Sequence, residues 1–286
     1  MSGLTKRIAR DDGFGRSSRF YETPAGTYPS VTSILSVVGK PALVNWAAKV
    51  EREMVSSVSA DMHKEIHGTP MMTRPVYLAT LESRIGKERA HRKLLEAASN
   101  IGSQAHALIE WTLRDEMGQE QGAAPSVSPE AAVAFAAFQR WRNESKLSVS
   151  LIEQTVWSAI HGYAGTLDWY GAIKHPAETM ILGDWKTGKA IYAESYLQAS
   201  AYAMALVEMG HVATLPGAMI VRLPKTKSDP GFETAYVPPD ELQEHFRSFL
   251  AVKSLWEWKE RMDQDHRSVK EDHVMEAKLH DRPPVE

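Results

Sequence analysis

The stretch TMILGDWKTGK, residues 179–189, decides the fold. It begins with a short apolar run typical of a buried strand, and it places Asp184 and Lys186 two positions apart at the end of that run. Because side chains at i and i+2 of a strand point to the same face, about 6–7 Å apart, the carboxylate and the amine can reach one small volume. Glycines on either side leave the backbone open to close approach. Taken alone, the pattern also suits a solvated ion pair at a strand end.

A second acid, Asp168, lies upstream in GTLDWYGAI, residues 165–173, another strand-like segment. Residues 169–181 can reverse the chain, so we expect a hairpin that brings Asp168 close to Asp184. Two carboxylates and a lysine form a recurring arrangement for phosphodiester hydrolysis, in which the acids hold Mg²⁺ or Mn²⁺, cations that prefer oxygen ligands. The cation stabilises charge on the phosphate and lowers the pKa of a bound water. The lysine orients that water and stabilises the transition state.

Two predicted helices add polar side chains at helical spacing. The helix over 101–117 carries His106 and Glu110 one turn apart on the same face. The helix over 193–209 carries Gln198 and Tyr202 at the same spacing, and this amide and phenol could hold the DNA backbone or the lysine. Each has a structural alternative, which is a packed histidine for His106 and a core position for Tyr202.

The order of the predicted elements indicates an α/β fold with a central mixed β-sheet flanked by helices. Helices precede about three strands that begin near residue 149; a helix, two further strands and a last long helix follow. We expect one domain over 1–262, with an N-terminal helical part (1–100) and a catalytic core (101–262). Residues 263–286 are charged and lack aromatic side chains, and we expect them to form a mobile tail or a frayed helix.

Composition limits the chemistry. The chain has 286 residues, of which 43% are hydrophobic and 24% charged, as in a soluble globular protein. It has no cysteine, which excludes disulfides, thiol catalysis and thiolate-held zinc or iron–sulfur sites. Any metal must therefore use oxygen and imidazole ligands. We see no apolar run near the roughly 18 residues that span a bilayer and no secretory signal, so we expect no membrane contact and a cytoplasmic location.

One segment is strongly basic, although the net charge of the chain is −3. RIGKERAHRK, residues 84–93, carries five basic side chains against one acid. It predicts either a solvated helix face or a surface that contacts phosphates. The candidate DNA contacts are Arg84, Lys87, Arg89, Arg92 and Lys93, together with Lys189 after the DxK motif.

In this order and at these spacings, the motifs GxxxH…E, GTLD, GDWKTGK and QxxxY resemble the PD-(D/E)XK nuclease superfamily. The nearest groups are RecB-type nuclease domains, phage exonucleases and the mitochondrial genome maintenance exonuclease. YPSVTSIL, followed by a helix with Trp46, also resembles the N-terminal part of the phage and mitochondrial group. The resemblance covers roughly residues 28–206 and is most specific over 162–202. It implies a restriction-endonuclease-like core, Mg²⁺ or Mn²⁺ as cofactor, and single-stranded or duplex DNA ends as partner.

The resemblance also implies roles for individual residues. Lys186 would be the catalytic lysine, supported by Gln198 and Tyr202 on the helix after the sheet. Glu153 falls where the RecB-type group often has an acid, although a salt bridge at a strand end is a fair alternative; Glu110 would support the site. The implied metal ligands are His106, Asp168, Asp184 and the backbone carbonyl of Trp185.

The chain departs from the family pattern in two respects. Leu167 replaces the proline that gives the family its name, and the missing cysteines exclude the iron–sulfur members. The resemblance implies a deoxyribonuclease, most simply an exonuclease in phage or bacterial recombination, replication or repair, with recombination or replication proteins as possible partners. A nucleic-acid-binding protein without turnover and a structure- or site-specific endonuclease stay open. The retained Asp168, Asp184 and Lys186 count against the first, and the lack of a separate recognition domain against the second.

Overall fold

The computed structural model describes residues 6–11, 17–66, 73–229 and 231–280, with side chains described for all of these except 10, 11, 17 and 266–280. The chain forms two compact units. The first comprises Met1–Val38, Gln139–Leu223 and Gly231–Glu286, and the second comprises Gly39–Phe138 and Pro224–Pro230. This grouping differs from the expected division at residue 100, because the N-terminal segment packs with the later strands.

A small antiparallel sheet begins the first unit. Its strands are β1 (Lys6–Asp11), β2 (Ser17–Thr23) and β3 (Gly26–Pro29). A short helix, α1 (Val31–Ile34), follows, and the hydroxyl of Ser30 caps it by accepting a hydrogen bond from the backbone N–H of Ser33. A 3-10 turn, Leu35–Val37, ends the segment. The segment 1–100 is predicted to be helical, but its described part starts with three strands. These strands form hydrogen bonds with one another.

The second unit is helical. Its helices are α2 (Pro41–Ile66), α3 (Arg74–Ile85), α4 (Ala90–Glu116) and α5 (Pro129–Ser145), and α5 continues into the first unit from Gln139. Gly86 ends α3 at a positive φ of 70°, and its N–H donates to the carbonyl of Glu82. α3 and α4 are therefore separate helices. The helix expected from residue 101 is the second half of α4, which runs without interruption from Ala90.

The centre of the first unit is a five-stranded mixed sheet, which confirms the predicted α/β fold class. Its strands are β4 (Ser148–Ser158), β5 (Tyr163–Lys174), β6 (Glu178–Lys186), β7 (Gly217–Arg222) and β8 (Glu233–Val237), in that spatial order. Among the described strands of this sheet, β6 and β7 are the one neighbouring pair that runs in parallel, and α6 (Ala193–Glu208) makes the crossover between them. A parallel pair needs such a crossover, whereas the antiparallel pairs are joined by turns and loops.

Both faces of β6 are covered, so residues 181–185 are buried. Leu182 packs into the apolar core that the sheet forms with α6 and the last helix, α7 (Pro239–His280). On the other face the indole of Trp185 stacks on Trp169 at 5.4 Å between ring centroids. It also meets Trp141 of α5 edge-on at 5.1 Å. The apolar run in the sequence reflects this two-sided burial, and it carries Asp184 into the interior.

The last helix extends past residue 262 to His280, so the backbone of the segment expected to be a tail is helical as far as it is described. Leu242, Phe246 and Phe249 of α7 pack on the core of the first unit. Beyond them, Lys259 donates to Asp263 one turn later at 2.7 Å, an i,i+4 pair of the kind that stabilises an exposed helix.

In the described part of the chain, no single helix has the length and hydropathy needed to cross a membrane. The consecutive helices Val31–Val37 and Pro41–Glu65 have that length and hydropathy only when they are taken together, and they are bent relative to each other.

The contact between Gly183 and Trp169 offers a test of the packing. A Cβ at position 183 would lie 1.7 Å from Cε2 of Trp169, so Gly183→Ala forces the indole or the strand to move. We expect it to lower the free energy of unfolding, measured with urea, by about 1–3 kcal/mol. Gly39→Ala is the control, because a Cβ there meets nothing within 4 Å. In combination with Trp169→Ala the effect of Gly183→Ala should shrink, and strict additivity would show that the two residues do not clash.

Candidate active site

The hairpin of β5 and β6 brings Asp168 beside the end of β6. The two strands pair with Trp169 opposite Gly183, so Asp168 and Asp184 follow at the next position of the register. The backbone N–H of Trp185 donates a hydrogen bond of 2.6 Å to Oδ2 of Asp168. A charged acceptor makes this a strong bond, and it fixes the carboxylate against the neighbouring strand.

Asp184 and Lys186 form an ion pair on the face of β6 that α6 covers. Nζ of Lys186 donates to Oδ1 of Asp184 at 2.7 Å. The side chain of Asp184 is only 1% exposed, whereas that of Lys186 is 27% exposed. An unpaired carboxylate at this depth would cost several kcal/mol, so the lysine allows the acid to be buried. The partial exposure of Lys186 leaves the pair accessible from one side.

Gln198 of α6 bridges the ion pair. Its Oε1 accepts from Nζ of Lys186 at 3.2 Å, and its Nε2 donates to Oδ1 of Asp184 at 3.1 Å. Nε2 also lies 3.4 Å from the hydroxyl of Tyr202, one helical turn later. The ring of Tyr202 packs where Gly165 has no side chain, since a Cβ there would lie 2.4 Å from Cε1 of the ring. The QxxxY motif and the glycine of GTLD are therefore parts of one arrangement.

Burial raises the pKa of the Tyr202 phenol well above its ordinary value. The nearby Tyr21, Asp184 and Asp168 raise this pKa further, and the hydrogen bond from Gln198 acts in the opposite direction. The reason is that a phenolate would be poorly solvated and would lie close to two acids. Tyr202 therefore stays a neutral hydrogen-bonding group at physiological pH.

Glu153 lies in the middle of β4, next to Asp168. The register of β4 and β5 pairs Ile152 with Trp169 and Gln154 with Leu167, the residues on either side of these two acids. Carboxylate oxygens of Glu153 and Asp168 lie within 4.8 Å of each other, close enough for two ligands of one cation. The backbone of Glu153 has a φ of 45°, which is uncommon for a residue other than glycine and often marks a functional position. Glu153 thus lies in the middle of a strand and not at its end, and its supporting role in the site stays a prediction.

His106 and Glu110 lie on α4 in the second unit, both half-buried. Glu110 accepts a hydrogen bond of 2.8 Å from Nε of Arg114, one turn further along the helix. This i,i+4 ion pair gives Glu110 a role in the helix itself. The metal-binding role of His106 and the supporting role of Glu110 stay predictions.

The basic segment is exposed, but part of its charge is paired inside the second unit. Arg84 donates to Glu65 through both terminal nitrogens, at 3.0 Å and 2.6 Å. This pair raises the pKa of Arg84 and lowers the pKa of Glu65. Lys93 lies 3.1 Å from an oxygen of Glu88. Contact with DNA stays a prediction for all the candidates, which are Arg84, Lys87, Arg89, Arg92, Lys93 and the exposed Lys189.

The N-terminal sheet also contributes to the site, which the sequence did not indicate. Tyr21 of β2 is buried, and its hydroxyl lies 3.1 Å from Oγ1 of Thr166. Arg7 of β1 donates to the same oxygen at 3.3 Å, and its guanidinium lies 5.4 Å from the centroid of the Tyr21 ring. Thr166 precedes Asp168 by two residues on β5, so this sheet reaches the site. The one signal in the sequence was the threonine within GTLD, which does not reveal its partners.

No protein-family model matches the chain, and no curated protein matches it. Among solved structures, the chain is similar to a crystal structure of a protein from Eubacterium rectale that carries the name "Putative exonuclease". The TM-score is 0.42 at 13% identity, over 73% of this chain and 81% of that one. At this TM-score the similarity supports no conclusion about the function of this chain.

Buried tyrosines predict a pH dependence of stability. Burial raises the pKa of Tyr163 as well as that of Tyr202. A tyrosine whose pKa is raised by folding contributes its full stabilisation below about pH 10, the pKa of an unfolded tyrosine. Above that pH the unfolded chain loses the phenolic proton while the folded chain keeps it, so the folded state becomes less stable relative to the unfolded state. We expect the free energy of unfolding to fall above this pH by up to about 1.4 kcal/mol per unit for each tyrosine. Urea unfolding at several pH values should show a shallower fall for Tyr202→Phe and for Tyr163→Phe. Slopes equal to that of the wild type would contradict the prediction.

Proposed function

We propose that this chain is a metal-dependent nuclease of the PD-(D/E)XK type, which hydrolyses phosphodiester bonds of DNA. The observation that carries the proposal is the convergence of Asp168, in the middle of β5, with Asp184 and Lys186, at the end of the neighbouring strand β6. Lys186 is bonded to Asp184 at 2.7 Å and to Gln198 at 3.2 Å, while Asp168 accepts from the backbone between them. A strand-end ion pair without a function would not require a buried carboxylate and a bridging amide.

The donor set suits a hard divalent cation. Asp168, Asp184 and Glu153 offer carboxylate oxygens, and the chain has no cysteine to offer a thiolate. We assign Mg²⁺ or Mn²⁺ to these acids, with the carbonyl of Trp185 and the imidazole of His106 as the further ligands that the motif resemblance implies. When bound, such a cation supplies charge stabilisation at the scissile phosphate and a more acidic water.

The residues around the acids position the catalytic lysine. Lys186 is held from two sides, by Asp184 and Gln198, so its ammonium is ordered before a substrate arrives. An ordered positive charge in a partly buried place can stabilise the negative charge that develops on the phosphate, and it can orient the attacking water. Tyr202 and Gly165 in turn fix the helix turn that carries Gln198. The chain thus supplies orientation and fixed charge.

The finer proposal is an exonuclease that acts on DNA ends and favours single strands. It derives from the motif resemblance to end-processing nucleases, as do a role in phage or bacterial recombination, replication or repair, and recombination or replication proteins as partners. A cytoplasmic location is proposed for such a protein. A protein that binds DNA without cleaving it and an endonuclease are the other outcomes that the following test separates.

Lys186→Ala should reduce cleavage of end-labelled linear single strands by at least about 100-fold, because the fixed charge at the phosphate is lost. Cleavage is measured with Mg²⁺ or Mn²⁺, and Lys174→Ala, at an exposed position near the far end of the β5–β6 hairpin, is the matched control. Thermal unfolding checks that each variant is folded, and Lys186→Met serves as a second variant that keeps the aliphatic stem. Equal cleavage by wild type and Lys186→Ala would contradict the proposed mechanism. Cleavage of closed circles would indicate an endonuclease.

Asp168→Asn and Asp184→Asn should each weaken Mn²⁺ binding by at least about tenfold, because each replaces a charged oxygen ligand by a neutral amide. Calorimetric titration of the protein with Mn²⁺ measures this without DNA. Glu178→Gln, an exposed acid at the start of β6, controls for the loss of one negative charge. Unchanged affinity in both Asp variants would overturn the assignment of the metal site.

A further inference from the structure

We propose that Arg7 and Arg19, on the N-terminal sheet, bind phosphates of the substrate strand next to the acids. The inference rests on the proposed nuclease function and extends it, since it assigns a backbone-binding surface to residues outside every motif of the site. The occupant is a phosphodiester strand, which is a polyanion with regularly spaced charges.

The two arginines lie on the same face of the small sheet. Arg7 is paired with Tyr21 across β1 and β2, and Ala9 is paired with Arg19. Residues paired across an antiparallel sheet share a face, as do residues two apart on one strand. Arg7, Tyr21 and Arg19 therefore lie on one face. Tyr21 is buried against β5, while both arginines are exposed.

The guanidinium groups of the two arginines contact uncharged side chains. Arg7 donates to the hydroxyl of Thr166 at 3.3 Å and lies over the ring of Tyr21. Arg19 donates through Nη2 to the hydroxyl of Thr32 at 3.2 Å. Among the described residues neither arginine has a carboxylate partner, and Glu22, the acid next to Tyr21, points to the opposite face of β2.

Three other arginines of the chain differ in this respect. Arg84 is bonded to Glu65, Arg114 to Glu110 and Arg222 to Glu233, so their charges are neutralised by acids. A hydroxyl and an aromatic ring order a guanidinium and leave its charge free to meet an anion. Arginine also binds phosphate through two parallel N–H groups, which suits a backbone contact.

The arginine face lies close to the acids of the site. Thr166, which Arg7 contacts, stands two residues before Asp168, or about 7 Å along β5. Tyr21 lies near Tyr202, whose phenol in turn is close to the amide of Gln198. A phosphate held at Arg7 would therefore belong to the same stretch of strand as the scissile phosphate. Contacts of this kind position the strand and do not read its bases.

The test measures binding of a short fluorescent oligothymidylate by anisotropy, with Ca²⁺ in place of Mg²⁺ and at several salt concentrations. All variants carry Lys186→Met to prevent cleavage. Arg7→Ala and Arg19→Ala should each weaken binding about tenfold at low salt, because each removes a charged hydrogen bond. Each should also reduce the slope of log affinity against log salt by about 0.7, the value for one phosphate contact of a single strand.

Lys6→Ala is the matched control, because Lys6 is an exposed cation next to Arg7 on the opposite face of β1. It should leave the slope unchanged, whereas Arg7→Lys should restore most of the slope that Arg7→Ala loses. In the active background, Arg7→Ala should raise KM about tenfold and leave kcat nearly unchanged, as expected of a residue that binds the strand at a distance from the reacting atoms.

The outcomes separate this inference from the proposed function. If the wild type cleaves DNA but Arg7→Ala and Arg19→Ala keep the slope of the control, the inference is wrong and the nuclease stands. If the slopes fall as expected but the wild type cleaves no DNA with any divalent cation, the binding surface stands and the nuclease function is wrong. A fall in slope for Lys6→Ala as large as for Arg7→Ala would overturn the assignment to this face.

Discussion

The buried carboxylate of Asp184 is the constraint on which the rest of the site depends. It lies on a strand covered on both faces, and it is 1% exposed. Ion pairs at such depth seldom add stability, because desolvation of the charges offsets their attraction. The cost of burial is offset locally by Lys186 and by Gln198, which bonds to both charges. The surrounding residues fit this pair: Gly165 makes room for Tyr202, and Tyr202 in turn lies against Gln198.

The opposite face of β6 gives the site its rigidity. The indoles of Trp141, Trp169 and Trp185 pack on one another at centroid distances of 5.1–5.7 Å. The ring of Trp169 occupies the space that a side chain at Gly183 would need. The residue on each side of Asp184 therefore touches this cluster, which limits how far the strand can shift. Packing of this kind on the opposite face of the strand keeps the side chains of Asp184 and Lys186 in a narrow range of positions.

Charge is distributed unevenly around the acids. The net charge of −3 gives no indication of a nucleic-acid partner. The contacts in the first unit, however, place two exposed arginines within a short distance of the acidic centre, each held by neutral hydroxyl groups. Local charge, not the total, governs the approach of a polyanion. In the second unit the segment richest in basic residues has part of its charge paired with Glu65 and Glu88. The density of basic residues in a sequence is therefore a poor guide to free positive charge.

The sequence by itself determined the strands of the central sheet, the α6 helix between them, and the convergence of Asp168, Asp184, Lys186 and Gln198. These follow from short-range rules, namely the period of two in a strand, the period of 3.6 in a helix, and a hairpin between two neighbouring strands. Only the tertiary structure decided the strands β1 and β2, the helical continuation of α7, and the contacts of Arg7, Tyr21 and Thr166. Arg7 and Thr166 are 159 positions apart in the chain, and Glu153 lies beside Asp168 through the register of β4 and β5. No local pattern encodes such pairings, because their free energy comes from surfaces that meet only once the chain has folded.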